Sequence, residues 1–182
     1  MLLQDIQLMC VDVQARPFET LNTADRVVRH DGLFQLERRL CLATRITTLL
    51  GSNQAAAQED YTAMWRAVAL SALMYVHHHL RPGWALHWAQ FRALSAALHR
   101  ELLSTRTQTW SECAALHLWT LAVGSWVSQK EDWILRMLAD ALRSYGIISW
   151  EAFELKLAQC PCVGGADSEK FAVIWECVHR LI

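Results

Sequence analysis

The chain has 182 residues, of which 53% are apolar and only 19% charged, with nine tryptophans. This composition excludes intrinsic disorder for most of the length and allows one domain that buries roughly 70% of its unfolded surface. The net charge of −1, from 17 basic and 18 acidic residues, excludes the electrostatic footprint of direct DNA or RNA binding.

Residues 1–30 form a poorly defined N-terminal segment. The start, Met1 to Asp5, has no basic region before its first acid, so it does not read as a secretory signal. Ile6, Leu8 and Cys10 alternate as in a strand, whereas Leu3, Ile6 and Cys10 fit a helix. Arg16-Pro17 interrupts either, and the polar run Thr23–Asp31 reads as loop.

Residues 31–182 read as one helical domain. A first helix begins at Leu33, with Leu36, Leu40, Ala43, Thr47 and Leu50 in register, and stops at Gly51-Ser52-Asn53. Arg38, Arg39 and Arg45 on it read as a solvated face. Tyr61, Met64, Trp65, Val68, Ala72, Tyr75 and His79 mark the inner face of a second helix, ended by Arg81-Pro82-Gly83. A third covers about Trp84 to Leu103. Thr109-x-x-Glu112 and Ser128-x-x-Glu131 have the form of capping boxes, opening a fourth helix with Leu116, Trp119, Val123 and Trp126 and a fifth with Ile134, Leu138 and Leu142. On the fifth, Asp132, Arg136, Asp140 and Arg143 form an outward stripe of alternating sign. Ser149 caps a sixth helix with Trp150, Phe153 and Leu157. Phe171, Ile174, Trp175 and Val178 align on a seventh. The expected fold is therefore all-α, an irregular bundle of about seven helices. The most apolar run, 113–127, is too short for the roughly 20 residues of a membrane span and reads as a buried helix.

Few residues suggest chemistry. His77-His78-His79 invites a metal, but neighbouring residues on a helix diverge by about 100°, and no ligand waits three or four residues away. The expected role is to interact with the end of the helix. Cys160-Pro161-Cys162 lacks the second pair of a structural zinc site. With no secretory signal, the six cysteines read as free thiols in a reducing compartment. Glu101, Glu151 and Glu154 read as solvated. No nucleophile elbow, phosphate loop, dinucleotide fingerprint or zinc-protease motif occurs. The expectation is a non-enzyme, with no catalytic, cofactor-binding or metal residues assigned and the tryptophans packed as core.

One order of features is specific: Leu116-His-Leu-Trp119, then Gly124, then Asp132-Trp133, then Gly146-Ile-Ile-Ser149-Trp150-Glu151, and late in the last helix Trp175-Glu176. From Tyr61 to the end, about two-thirds of the chain, this order resembles the C-terminal half of the regulatory domain of fungal zinc-cluster transcription factors. The chain departs from that pattern in two places. The six clustered cysteines of the DNA-binding module are missing, and Gln159-Cys160-Pro161-Cys162 stands where the family has Leu-Trp. The resemblance implies a C-terminal portion or truncated relative of such a domain, regulating transcription in the nucleus or cytoplasm. It would act through a protein partner, either a full-length factor or a second copy, with an apolar small molecule as candidate effector. It would touch neither nucleic acid nor membrane. The rival expectations are a helical enzyme or accessory protein of fungal secondary metabolism, and a plain helical adaptor.

Overall fold

The computed structural model describes residues 2–16, 20–50, 56–80, 88–128, 131–161 and 164–182. Among these residues every regular element is helical. The helices are α1 (Leu2–Ala15), α2 (Thr23–Leu50), α3 (Ala56–Tyr75), α4 (Trp88–Ser104), α5 (Thr107–Ser111), α6 (Ala114–Val127), α7 (Asp132–Ser144), α8 (Trp150–Leu157) and α9 (Gly164–His179); α3 runs on into a π-helical turn, Val76–Leu80. The bundle is all-α and irregular, as expected, with two more helices than expected, α1 and the short α5.

The N-terminal expectation needs correction. Residues 2–15 are helical, and the loop expected at Thr23–Asp31 is the first third of α2, so the boundary drawn at residue 30 falls inside a helix. Local chemistry explains this. Asn22 Oδ1 accepts from Asp25 N at 2.9 Å, a side-chain cap that starts the helix, and Asn22 Nδ2 donates to Asp25 Oδ2 at 3.0 Å, holding the two side chains together. The polar residues are then held by α1, which runs antiparallel to α2. Arg39 pairs with Asp5 at 2.7 Å, and buried Arg29 with Asp12 at 2.8 Å. Met9 of α1 lays the end of its side chain over Gly32, where a Cβ would lie 2.6 Å from Met9 Cε and push that flexible methyl aside.

Two helices form the spine. α3 packs on α2, α4 and α6, and α6 packs on α3, α7, α8 and α9. Both are buried around most of their circumference, which small residues permit: Ala67, Ser71 and Ala72 on α3, Ala122, Gly124 and Ser125 on α6. Tyr61 and Trp65, expected on the inner face of α3, are instead 42% and 48% exposed. A Cβ on Gly124 would run into Ile134 Cδ1 and lie 2.9 Å from Leu98 Cδ2, both on fully buried residues. Gly124→Val should therefore cost about 1–3 kcal/mol in urea denaturation; a value near zero would show that α4 and α7 are not pressed against α6.

Helix ends also differ from expectation. Thr109 lies inside α5, and Ser128 is the C-cap of α6, so neither heads a capping box. α6 and α7 start at Cys113 and Glu131 without a side-chain cap, their ends being fixed by packing. Ser149 does cap α8, accepting from Ala152 N at 3.3 Å. Gly146, at φ +64°, closes α7: its N–H reaches Arg143 O and that of Ile147 reaches Leu142 O, at 3.1 and 2.9 Å. This is the double bond of a left-handed C-terminal cap. Gly146→Ala should destabilise by about 1 kcal/mol, read as a lower urea midpoint at unchanged slope, because alanine resists positive φ. The stripe Asp132, Arg136, Asp140, Arg143 is exposed as expected, and Phe171, Ile174, Trp175 and Val178 are buried on α9.

Candidate functional site

A cavity of about 670 Å³ opens where α1, the α5–α6 corner and the end of α8 meet. Leu3, Gln4 and Gln7 of α1 form one wall, Cys113, Ala115 and Leu116 a second, and Lys156, Cys160 and Pro161 a third. Its size is within the range of small-molecule sites.

The corner between α5 and α6 is rigid for a definable reason. Trp110 is buried and stacks on His117 with ring centres 4.4 Å apart and planes 12° from parallel. Tyr145 at the end of α7 donates its hydroxyl proton to Trp110 O at 3.3 Å. That leaves the Tyr145 oxygen to accept from His117 Nδ1 at 2.9 Å. Since the carbonyl can only accept, this chain of bonds places the imidazole proton on Nδ1. Burial pushes the His117 pKa down to about 4 and the Tyr145 pKa up to about 12, so both are neutral at pH 7. The opposite wall is fastened by Trp119, whose Nε1 donates to Pro161 O at 2.8 Å. The turn Ala158–Pro161 is thereby tied to the central helix, and Cys160 is buried in it.

The residues singled out in the sequence fall as follows. His77 and His78 diverge: His77 Nδ1 lies 3.3 Å from Glu37 Oε1 on α2, while His78 meets Trp126 at 4.6 Å and Phe91 at 6.1 Å between ring centres. Burial, then the charge of Lys170, lowers the His78 pKa. They thus meet a carboxylate and two aromatic rings, and the turn that carries them at the end of α3 is π-helical. The His79 side chain, the Arg81-Pro82-Gly83 stop and Cys162 lie outside the described residues. Cys113 and Cys160 both reach the cavity wall, and among the described lining residues none is a histidine. No group of three or more His, Cys, Asp or Glu placed to hold a metal occurs among the described residues. Glu101, expected to be solvated, is held by Arg66 at 2.7 Å, and Glu154 accepts from Ser168.

A second polar centre had no sequence signal. The fully buried Tyr75 hydroxyl donates to Asp167 Oδ2 at 2.6 Å and lies 3.5 Å from Cys10 Sγ, joining α1, α3 and α9. Burial, then the charges of Cys10 and Asp167, pushes the Tyr75 pKa far above its ordinary value. Tyr75 sits on an apolar periodicity and Asp167 in the first turn of α9, 92 positions later, so nothing in the linear pattern linked them.

The hollow is open to solvent and can seat a part-apolar body against Leu3, Ala115 and Leu116, offering it amide donors from Gln4 and Gln7, a cation from Lys156 and an anion from Glu112. Among the described residues no helix is long and apolar enough to cross a membrane. Comparisons with known protein families, curated proteins and solved structures find no match to this chain.

Proposed function

We propose that this chain is a regulatory domain like that of fungal zinc-cluster transcription factors, lacking a DNA-binding module and acting through protein contacts under control of an apolar effector. The observation that carries the reading is the position of α6. This helix bears the Leu-Trp and Gly of the resemblance, lines the cavity with Leu116, and fastens its far wall through Trp119 and Pro161. An effector seated there would touch α1, α6 and α8 together, and so couple occupancy to the packing of three helices. The effector suited to the walls has an apolar body and an acceptor group, a carbonyl or carboxylate, for Gln4, Gln7 or Lys156. The domain would work in the nucleus or cytoplasm, on a full-length factor or another copy of itself, without direct nucleic-acid contact.

The test is thermal denaturation against a panel of apolar carbonyl and carboxylate metabolites. A true effector at about 100 times its Kd adds about 2.7 kcal/mol of stability. Ala115→Trp, which fills the cavity from α6, should abolish that gain while leaving the unliganded protein folded. Failure of the whole panel, or a gain that survives the tryptophan, would remove the effector from the proposal and favour the plain adaptor. The rival enzyme reading draws on Cys113 and Cys160 sharing one cavity. It requires that Cys113→Ala with Cys160→Ala eliminate a chemical conversion of the ligand, whereas an effector site should keep its binding in that variant.

A further inference from the structure

α2 carries an apolar stripe on the side turned away from the core. Its inner side buries Leu33, Leu36 and Leu40, whereas Val27, Val28, Phe34 and Leu42 are 63%, 72%, 51% and 45% exposed. Asp31 and Arg38 are exposed on the same side. At 3.6 residues per turn, Val27, Asp31, Phe34, Arg38 and Leu42 fall within a sector of about 80°. They line up along the helix as one seam, apolar with one acid and one base set into it.

The order along this seam is self-complementary. Asp31 and Arg38 are equally far from a point between Phe34 and Gln35, on opposite sides of it, and so are Val27 and Leu42. A second copy laid antiparallel across a two-fold axis at that point meets every group with its complement. Each Asp31 faces the Arg38 of the other copy, each Val27 faces the other Leu42, and the two Phe34 rings meet at the axis. This reciprocity is what an isologous interface demands, residue i on j and j on i. A partner of a different sequence would not require it. We propose that this chain forms an antiparallel two-fold dimer through the outer face of α2. The inference rests on the reading of the chain as a contact-making domain, and narrows its partner to a second copy. The seam from Val27 to Leu42 runs about 22 Å along the helix. That length is at the lower end for a stable interface, so the dissociation constant should be on the order of micromolar.

Sedimentation equilibrium of the full chain across the micromolar range tests this. The wild-type protein should pass from monomer to dimer. Asp31→Lys and Arg38→Glu each place like charges face to face, and each should raise the dissociation constant at least about tenfold. An equimolar mixture of the two variants restores both charge pairs and should dimerise as the wild type does, as should the double variant carrying both changes. A wild-type chain that stays monomeric throughout overturns the inference. So does a dimer that neither single change weakens, or a loss that the mixture does not rescue. Because the readout is mass and not ligand response, a monomer that still gains stability from an apolar metabolite sinks the dimer alone. A dimer indifferent to every metabolite sinks the effector alone.

Discussion

Replacing Trp119 with alanine is expected to remove about 3–5 kcal/mol of stability, the largest loss of any single truncation in the α3–α6 spine. Trp119 is fully buried at the centre of the bundle, with its ring 5.8 Å from that of Tyr75. Alanine would leave a void that the small residues beside it on α6 cannot fill. The indole N–H would also vanish from the buried Pro161 carbonyl, which then loses its donor. A domain of this size is ordinarily stable by about 5–15 kcal/mol, so the change approaches the whole margin. Urea denaturation of the wild type, Trp119→Ala and Trp119→Phe separates the contributions. Phenylalanine restores most of the volume without the bond and should lose less. It should also blunt the response to an apolar ligand, since the turn Ala158–Pro161 would no longer be fastened to α6. A Trp119→Ala protein within about 0.5 kcal/mol of the wild type would mean that the indole is not wedged between Tyr75 of α3 and the turn at Pro161.

Stability should also fall steeply in mild acid, through His117. Its folded pKa is depressed to about 4 by burial, against 6.5 for a free histidine. Between those values the unfolded chain takes up a proton that the folded chain refuses, so stability rises with pH across this window. Above pH 6.5 the imidazole is neutral in both states and the penalty is absent. As the pH falls to 4, the penalty grows to roughly 3 kcal/mol, a tenfold change in proton affinity being worth about 1.4 kcal/mol. Asp12, which its own burial would raise, is held below the ordinary carboxylate range by hydrogen bonds and charge from Arg16 and Arg29, and adds acid sensitivity of the same sign at lower pH. The His117 share is therefore read by difference. In His117→Gln the slope of stability against pH between 4 and 6.5 should be shallower than in the wild type, although this variant will be less stable at pH 7 for want of the Trp110 stack. In the wild type, the imidazole resonances should titrate near pH 4. Titration near 6.5 would show that the ring is open to water and that the α5–α6 corner is not closed.

Trp119 and His117 stand behind the two walls of one cavity. If α6 holds both walls, loosening either should weaken ligand binding: loss of Trp119 releases the α8 side, and a protonated His117 releases the α5 side. A pH-dependent effector response is the expected signature, strongest near neutrality and fading as His117 charges.

Most of the helical framework was legible from residue spacing. The polar stripe Asp132, Arg136, Asp140, Arg143 and the inner row Phe171, Ile174, Trp175, Val178 are simple periodicities, and helices obey them because one face of each is wet. Ser149 could be read as a helix start because a cap is a local event, decided within four residues. The failures share a cause. Thr23–Asp31 looks like loop because Arg29 is polar, yet Arg29 is buried against Asp12, a residue of a different helix. Thr109 and Ser128 have the letters of capping boxes, but tertiary packing sets the ends of α6 and α7. On α3 the apolar residues occupy so much of the circumference that periodicity cannot choose the buried side, and it misplaced Tyr61 and Trp65.

Composition and local spacing were enough to establish that the chain is helical, that it has a large apolar core, and that it carries no linear motif for bond-making chemistry, but not which tryptophans join that core: Trp110, Trp119 and Trp175 are buried, whereas Trp65 is exposed. Those properties arise from residue content and from interactions over three or four positions. Which polar groups are buried together is a matter of assembly, since Tyr75 with Asp167 and Cys10, or His117 with Tyr145 and Trp110, pairs residues from different helices, most of them tens of positions apart. The same holds for the open cavity between α1, α6 and α8 and for the apolar side that α2 keeps outward. Such features depend on how whole helices are placed against one another, and that placement is set by the shape of the combined core, which no local pattern encodes.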